Sequence, residues 1–127
     1  AGAHAGRLER ADVSVLCDNP LCGDRVTLEL EVREGAIVAV GQVTRGCLLT
    51  RAAASLLARH LGHRPLASAA RLPDAAAAVL AGGAAPADWP ALAMFAPVAD
   101  VKSRHDCVLL PFRALARALD ELGRSTS

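Results

Sequence analysis

Residues 25–33, RVTLELEVR, have the clearest strand pattern in the chain, because apolar and polar side chains alternate strictly along this segment. Its apolar positions are Val26, Leu28, Leu30 and Val32. Its polar positions are Arg25, Thr27, Glu29, Glu31 and Arg33. Successive side chains of a β-strand point to opposite faces, so a period of two is typical of a strand with one face on a core and the other in water. The segment therefore predicts a half-buried strand.

Two further strands are predicted beside it. Residues 12–17, DVSVLC, alternate at Val13 and Val15, and residues 36–43, AIVAVGQV, follow a short turn at 34–35. Consecutive strands joined by so short a turn pair antiparallel. We therefore expect a three-stranded antiparallel meander.

The second half of the chain has the pattern of helices. The predicted helices are residues 48–62, 74–81, 88–95 and 105–122, with a looser connection at 63–73. Asp74 and Asp88 are the expected N-caps of the second and third helices, and Pro97 is expected to end the third. Strands followed by helices predict an α+β fold, a three-stranded antiparallel sheet with helices packed on one face. A chain of 127 residues suits a single domain over residues 1–127.

Charge and composition argue against several classes of protein. The 14 basic and 13 acidic side chains give a net charge of +1, which disfavours a general nucleic-acid binder. No apolar run approaches the roughly 20 residues that span a bilayer. The first residues, AGAHAGRLERADV, lack the apolar segment of a signal peptide. We therefore expect a cytoplasmic protein that binds neither nucleic acid nor a membrane.

Cysteines are the candidate residues for chemistry: Cys17, Cys22, Cys47 and Cys107. In a reducing cytoplasm, cysteines more often bind metals, perform redox chemistry or pack as small apolar groups than form disulfides. Cys22 shares the loop DNPLCGD with Asp24, whereas Cys47 directly precedes a predicted helix and Cys107 lies in the first turn of another. Helix N-termini favour the thiolate, the form that binds metal. Three thiolates and one carboxylate suit zinc or a [2Fe–2S] cluster.

The spacing of these residues leaves two interpretations open. Neither Cys22 to Cys47 nor Cys47 to Cys107 has the short interval of a metal finger such as C-x-x-C. A shared metal site and separate buried cysteines therefore both remain compatible with the residues alone.

Three stretches of the chain resemble the U-type iron–sulfur scaffolds, namely IscU, SufU and the N-terminal domain of NifU. They are NPLCGDRVTLELEV, GCLLTRAAASLL and SRHDCVLLPFRALARAL. The residues that match the family motifs, in the family's order, are Asn19, Pro20, Cys22, Gly23, Asp24, Gly46, Cys47, Ala52, Ser55 and Cys107. The long stretch between Cys47 and Cys107 is similar to SufU in particular.

The chain departs from the family pattern near two of the cysteines. Asp106 stands before Cys107, where IscU proteins have a histidine and SufU proteins commonly a lysine, and His105 lies one position earlier. Arg45 occupies a position where family members often have glycine, and Cys17 has no assigned family counterpart. We expect Cys17 to be a buried thiol, and His105 to be a capping or solvent-facing residue.

The resemblance implies a specific function. A family member of this kind receives persulfide sulfur from a cysteine desulfurase, with Cys22 as the candidate acceptor. It assembles or relays a [2Fe–2S] cluster on Cys22, Asp24, Cys47 and Cys107 and supplies apo iron–sulfur proteins. One alternative is a zinc-dependent sulfurtransferase, similar to SufU, in which the same four residues hold zinc. An alternative of another class is a structural zinc-binding or adaptor domain without sulfur transfer.

Overall fold

The computed structural model describes residues 3–21 and 23–125. Its sheet contains the three predicted strands, β2 (Val13–Asn19), β3 (Asp24–Arg33) and β4 (Ala36–Arg45), which pair antiparallel in sequence order. The expected meander and α+β fold are thus confirmed.

A fourth, short strand was not predicted. Strand β1 (Ala3–Ala5) pairs parallel with β4, at Val40–Gln42, so the strand order is β1-β4-β3-β2. A segment of three residues is too short to show the alternation that predicts a strand. Strand β1 is held instead by backbone pairing to the edge of β4. The sheet therefore has one parallel strand at its margin.

The helices follow the sheet. They are α1 (Leu48–His60), α2 (Leu66–Ala70), α3 (Leu72–Leu80), 3₁₀ helices at Pro90–Asp100 and Lys102–Arg104, and α4 (His105–Ser125). Within the part of the chain that the structure describes, none of them is long and apolar enough to cross a membrane.

Three expected helix boundaries were wrong. Arg71, not Asp74, is the N-cap of α3, because Pro73 fits the first turn of a helix, where no N–H is needed. Asp88 caps no helix either, because its carboxylate pairs with Arg71. The helix that follows Asp88 is a 3₁₀ helix that continues through Pro97 instead of ending there.

The core lies between the sheet and the helices on one of its faces. Leu28 and Leu30 of β3 are fully buried together with Leu57 of α1 and Leu115 of α4. Phe112 adds an edge-to-face contact with Phe95 of the long 3₁₀ helix, at 6.4 Å between ring centroids. These contacts fix the start of α4 against the ends of the strands, where the candidate site lies.

The outer face of the sheet is partly covered, which corrects the prediction that Glu29 faces water. Glu29 is only 3% exposed. Arg7 Nε donates to its Oε2 at 2.7 Å, and the Leu8 N–H donates to its Oε1 at 2.8 Å. The chain after β1 crosses this face and packs so closely that a Cβ on Gly41 would lie 2.7 Å from the Gly6 carbonyl oxygen. The Arg7 hydrogen bond outweighs burial and lowers the pKa of Glu29 below its ordinary value.

Candidate metal centre

Three of the predicted ligands meet at one end of the sheet. Asp24 begins β3, Cys47 directly precedes α1, and Cys107 lies in the first turn of α4. A carboxylate oxygen and the two sulfurs all lie within 4.8 Å of one another. Residues far apart in sequence therefore form one cluster, as the metal-site interpretation requires.

Asp24 lies directly after the turn that connects β2 and β3. It pairs with Asn19 across the ladder, and the Gly23 N–H donates to the Asn19 carbonyl at 2.8 Å. Gly23 has a φ of +75°, a conformation that glycine adopts without strain. A Cβ on Gly46 would lie 2.8 Å from the Asp24 Cγ, so glycine before Cys47 leaves the space that the carboxylate occupies.

Thr50 links two of the candidate ligands and was not predicted. Its fully buried hydroxyl donates to the Asp24 Oδ2 at 2.6 Å and lies 3.5 Å from the Cys47 sulfur. One hydroxyl has one proton, so it serves the carboxylate or the thiolate, not both at once. The available signal was its position three residues after a helix-capping cysteine, where a hydroxyl reaches back to the cap.

Cys47 has an environment that favours the thiolate. It is the N-cap of α1, and its side chain makes no full capping hydrogen bond, although the N–H groups of Leu49 and Thr50 face it. Burial raises the pKa of Cys47, but hydrogen bonds from Thr50, Cys107 and Leu49 outweigh it and hold the pKa below its ordinary value.

Of the other two predicted cysteine ligands, the structure describes Cys107 but not Cys22. Cys107 is buried, with 6% of its surface exposed. Cys22 lies outside the described residues, so its place at the site remains a prediction. Its neighbour Leu21 is 92% exposed, and the Leu21 N–H donates to the Asn19 side chain at 3.1 Å.

The donor set fits a thiophilic metal. In a tetrahedral zinc site, Zn–S bonds of about 2.3 Å place two sulfurs roughly 3.8 Å apart, which is compatible with donor atoms that all lie within 4.8 Å of one another. None of the contacts that Asp24 makes in the described part of the chain is with a basic side chain. A buried carboxylate that lacks a cation and lies beside two thiols suits a metal ligand.

Two other residues near the cysteines have structural partners. The His105 Nε2 lies 3.1 Å from the carbonyl oxygens of Val98 and Ala99, which fits the expected capping role. Asp106 forms an ion pair with Arg113 at 3.1 Å and is not one of the clustered donors.

Cys17 is buried, as expected. Its sulfur lies 3.3 Å from Nη1 of Arg117, and it is not a member of the clustered donor group.

Comparison with known proteins places the chain in a family. The profile of the NifU-like N-terminal domain matches residues 2–107. The crystal structure of a nitrogen-fixing NifU-like protein (N-terminal) from Brucella abortus has 28% identity and a TM-score of 0.89, with 98% of this chain and 88% of that chain covered. An iron–sulfur cluster assembly scaffold of the SUF system from Fervidobacterium islandicum AW-1 has 25% identity and a TM-score of 0.84, with 91% and 85% covered.

Among curated protein sequences, none matches this chain significantly. The family profile nevertheless covers most of the chain, and the structural neighbours share the whole sheet-and-helix arrangement. The chain therefore belongs to the family of NifU-like N-terminal domains, the U-type scaffolds of iron–sulfur cluster assembly.

Proposed function

We propose that this protein assembles a [2Fe–2S] cluster on Cys22, Asp24, Cys47 and Cys107 and passes it to apo iron–sulfur proteins. The observation that carries the proposal is the convergence of Asp24, Cys47 and Cys107 to within 4.8 Å, around a carboxylate that has no basic partner in the described part of the chain. Thiolates are the usual protein ligands of such clusters.

Sulfur arrives as a persulfide on a cysteine desulfurase, and Cys22 is the proposed acceptor. Its loop is exposed at Leu21, whereas Cys107 is buried. The acceptor thiolate attacks the outer sulfur of the donor persulfide, and the bond between the two donor sulfurs breaks. The donor cysteine leaves as a thiolate, and the outer sulfur stays on the acceptor with its proton. This transfer needs no oxidant, since the sulfane sulfur only changes its carrier. Conversion of two sulfane sulfurs into the two bridging sulfides takes four electrons. Two ferrous ions supply two of them as they become ferric, and a thiol reductant supplies the other two.

Asp24 keeps the assembled cluster transferable. A carboxylate is a harder and weaker ligand for iron than a thiolate. The Thr50 hydroxyl, which donates to Asp24 at 2.6 Å, stabilises the carboxylate when it is not bound to metal. Asp24 therefore has an alternative partner at the moment when a recipient's thiolate replaces it.

A zinc-dependent sulfur acceptor is the second candidate, and one observation favours it. Three donors within 4.8 Å suit a single tetrahedral ion, which Cys22 would complete as the fourth ligand. Zinc in such a set holds its cysteine ligands as thiolates. The chain's own residues then present those thiolates to the donor persulfide, and no cluster needs to form.

The experiment that tests the proposal is anaerobic reconstitution with a cysteine desulfurase, L-cysteine, ferrous iron and a thiol reductant. We expect a brown chromophore with iron and acid-labile sulfide in equal amounts. Cys17→Ser is the matched control and should reconstitute like the wild type, whereas Cys107→Ser should not. One zinc per chain, transfer of sulfur to Cys22 and no chromophore would favour the second candidate. Failure to bind either zinc or a cluster would contradict both.

A further inference from the structure

The edge of the sheet next to the site is only partly occupied. Strand β1 covers β4 at Val40–Gln42, and the Gly6 N–H ends this pairing with a hydrogen bond of 2.7 Å to the Gln42 carbonyl. At Gly6, whose φ is +106°, the chain turns away towards Glu29. Among residues 3–21 and 23–125, no strand pairs with Val43–Arg45 on this side.

The backbone groups of Thr44 face this open edge. Because Gly6 bonds to the Gln42 carbonyl, the backbone groups of Gln42 point away from β3. The direction of these groups alternates along a strand, so Thr44 points outward and Val43 points inward to β3. The Thr44 hydroxyl is occupied with the Gln42 Oε1 at 2.5 Å. The Thr44 N–H and carbonyl thus form a template for one further strand.

A groove of about 520 Å³ lies along this edge, between β4 and α1. Its lining residues are Gly6, Gln42, Val43, Thr44, Arg51 and Ser55. Among the described lining residues, Arg51 carries a charge and Val43 is an apolar side chain with 44% of its surface exposed. An extended peptide with an acidic side chain is complementary to this combination of strand edge, apolar surface and positive charge.

The groove leads to the thiolates. Thr44 precedes Cys47 by three residues, a distance of at most about 10 Å along an extended backbone. Arg51 follows on the other side, and its N–H bonds to the Cys47 carbonyl at 3.1 Å. A peptide paired with Thr44 therefore has its next residues beside Cys47.

We propose that the cysteine-bearing segment of the sulfur donor binds here in extended form, adding a strand to β4 at Thr44 with an acidic side chain on Arg51. This inference rests on the proposed function, and it names how the donor's persulfide is brought to the site. Strand addition restricts the donor cysteine to the neighbourhood of Cys47, which raises its effective concentration at the site that Cys47 is proposed to share with the acceptor Cys22.

The test compares two sulfur donors on variants of the full chain. Thr44→Pro removes the outward N–H and leaves the β3 ladder intact, as proline does on a strand edge. Thr44→Val is its control, because it removes only the hydroxyl. Arg51→Glu is the second variant, with Arg59→Glu, exposed on the same helix, as its control. The donors are a cysteine desulfurase charged with L-cysteine, and free cysteine persulfide, which needs no docking.

We expect Thr44→Pro and Arg51→Glu to slow sulfur transfer from the desulfurase about tenfold, the loss of one to two contacts in a short interface. Transfer from cysteine persulfide and zinc affinity should stay at the wild-type values. If both variants accept sulfur from the desulfurase as fast as their controls, the edge proposal is overturned. If Thr44→Pro does not fold, Arg51→Glu alone decides the same question. A wild-type protein that takes sulfur from neither donor would instead overturn the proposed function, and the edge proposal with it.

Discussion

Two carboxylates of the same strand are almost equally buried but have opposite surroundings. Asp24 is 6% exposed at the start of β3, and Glu29 is 3% exposed near its middle. Glu29 has a cation, Arg7, and the Leu8 N–H. Asp24 has the Thr50 hydroxyl and lies among thiol sulfurs. One negative charge is balanced from within the chain, whereas the other is placed where a metal would balance it.

This difference gives a criterion that distinguishes a structural carboxylate from a candidate metal ligand. Burial alone does not distinguish them, because a buried charge is tolerated only when something compensates for it. Arg7 compensates for Glu29 and ties the chain after β1 to the sheet. For Asp24, compensation by a metal would couple ligand binding to the stability of this end of the sheet.

The largest expected effect comes from exchanging each carboxylate for alanine. Asp24→Ala should weaken zinc or cluster binding about 100-fold, as expected for the loss of one of four ligands, and should leave the metal-free protein at least as stable. Glu29→Ala should lower the free energy of unfolding by about 1–3 kcal/mol, because it removes the acceptor of the Glu29 clamp, the pair of hydrogen bonds from Arg7 and the Leu8 N–H. Metal titration and urea unfolding of both variants measure the contrast.

Equal losses of metal affinity in Asp24→Ala and Glu29→Ala would contradict the different roles assigned to the two carboxylates.

Next in size is the effect of Gly46→Ala, which changes no ligand. The added Cβ would lie 2.8 Å from the Asp24 Cγ and displace the carboxylate. We expect metal affinity to fall about 10–100-fold, as for other changes that reorient a ligand. Gly62→Ala is the control, since a Cβ there meets nothing within 4 Å and the residue has no positive φ. Unchanged affinity in Gly46→Ala would mean that Asp24 is not held in its binding position by this contact.

A smaller effect is the acid sensitivity of the Glu29 clamp. The pKa of Glu29 is lowered in the folded protein, so its contribution to stability is complete above the ordinary value and is lost as the pH falls through the folded value. Glu29→Gln should remove this part of the pH dependence. Urea unfolding between pH 7 and acidic pH checks it, and parallel curves for the two proteins would contradict the clamp.

The smallest expected effect concerns the Cys47 thiol. Thr50→Val keeps the side-chain shape and removes the hydroxyl that helps to lower the pKa of Cys47. The pH profile of Cys47 alkylation in the metal-free protein should therefore shift to higher pH. Mass spectrometry of the modified peptide measures it, with Cys107 alkylation followed in the same samples. An unchanged profile would show that the hydroxyl donates to Asp24 alone and does not stabilise the Cys47 thiolate.

Strict alternation made part of this fold predictable. The side chains of β3 were assigned correctly to the core at Val26, Leu28 and Leu30, because burial on one face imposes a period of two. The same pattern failed at Glu29, since the cover over the outer face comes from residues distant in sequence. A helix was predicted near Pro90–Asp100, but its 3₁₀ form was not, because apolar periodicity does not distinguish short helical forms.

The candidate site was predictable through its motifs rather than its spacing. The intervals between Cys22, Cys47 and Cys107 leave a shared site undecided, and the resemblance to U-type scaffolds selected it. The hydrogen bond from Thr50 to Asp24 and the steric role of Gly46 were not visible in the sequence, because both depend on how β3, β4 and α1 come together at Asp24.

The most direct test of the account is the iron, zinc and acid-labile sulfide content of anaerobically reconstituted protein, measured side by side for the wild type, Cys17→Ser and Cys107→Ser. We expect iron and sulfide in equal amounts in the wild type and in Cys17→Ser, and neither in Cys107→Ser. Equal loading of all three proteins, or a wild type that binds neither metal nor sulfide, would contradict it.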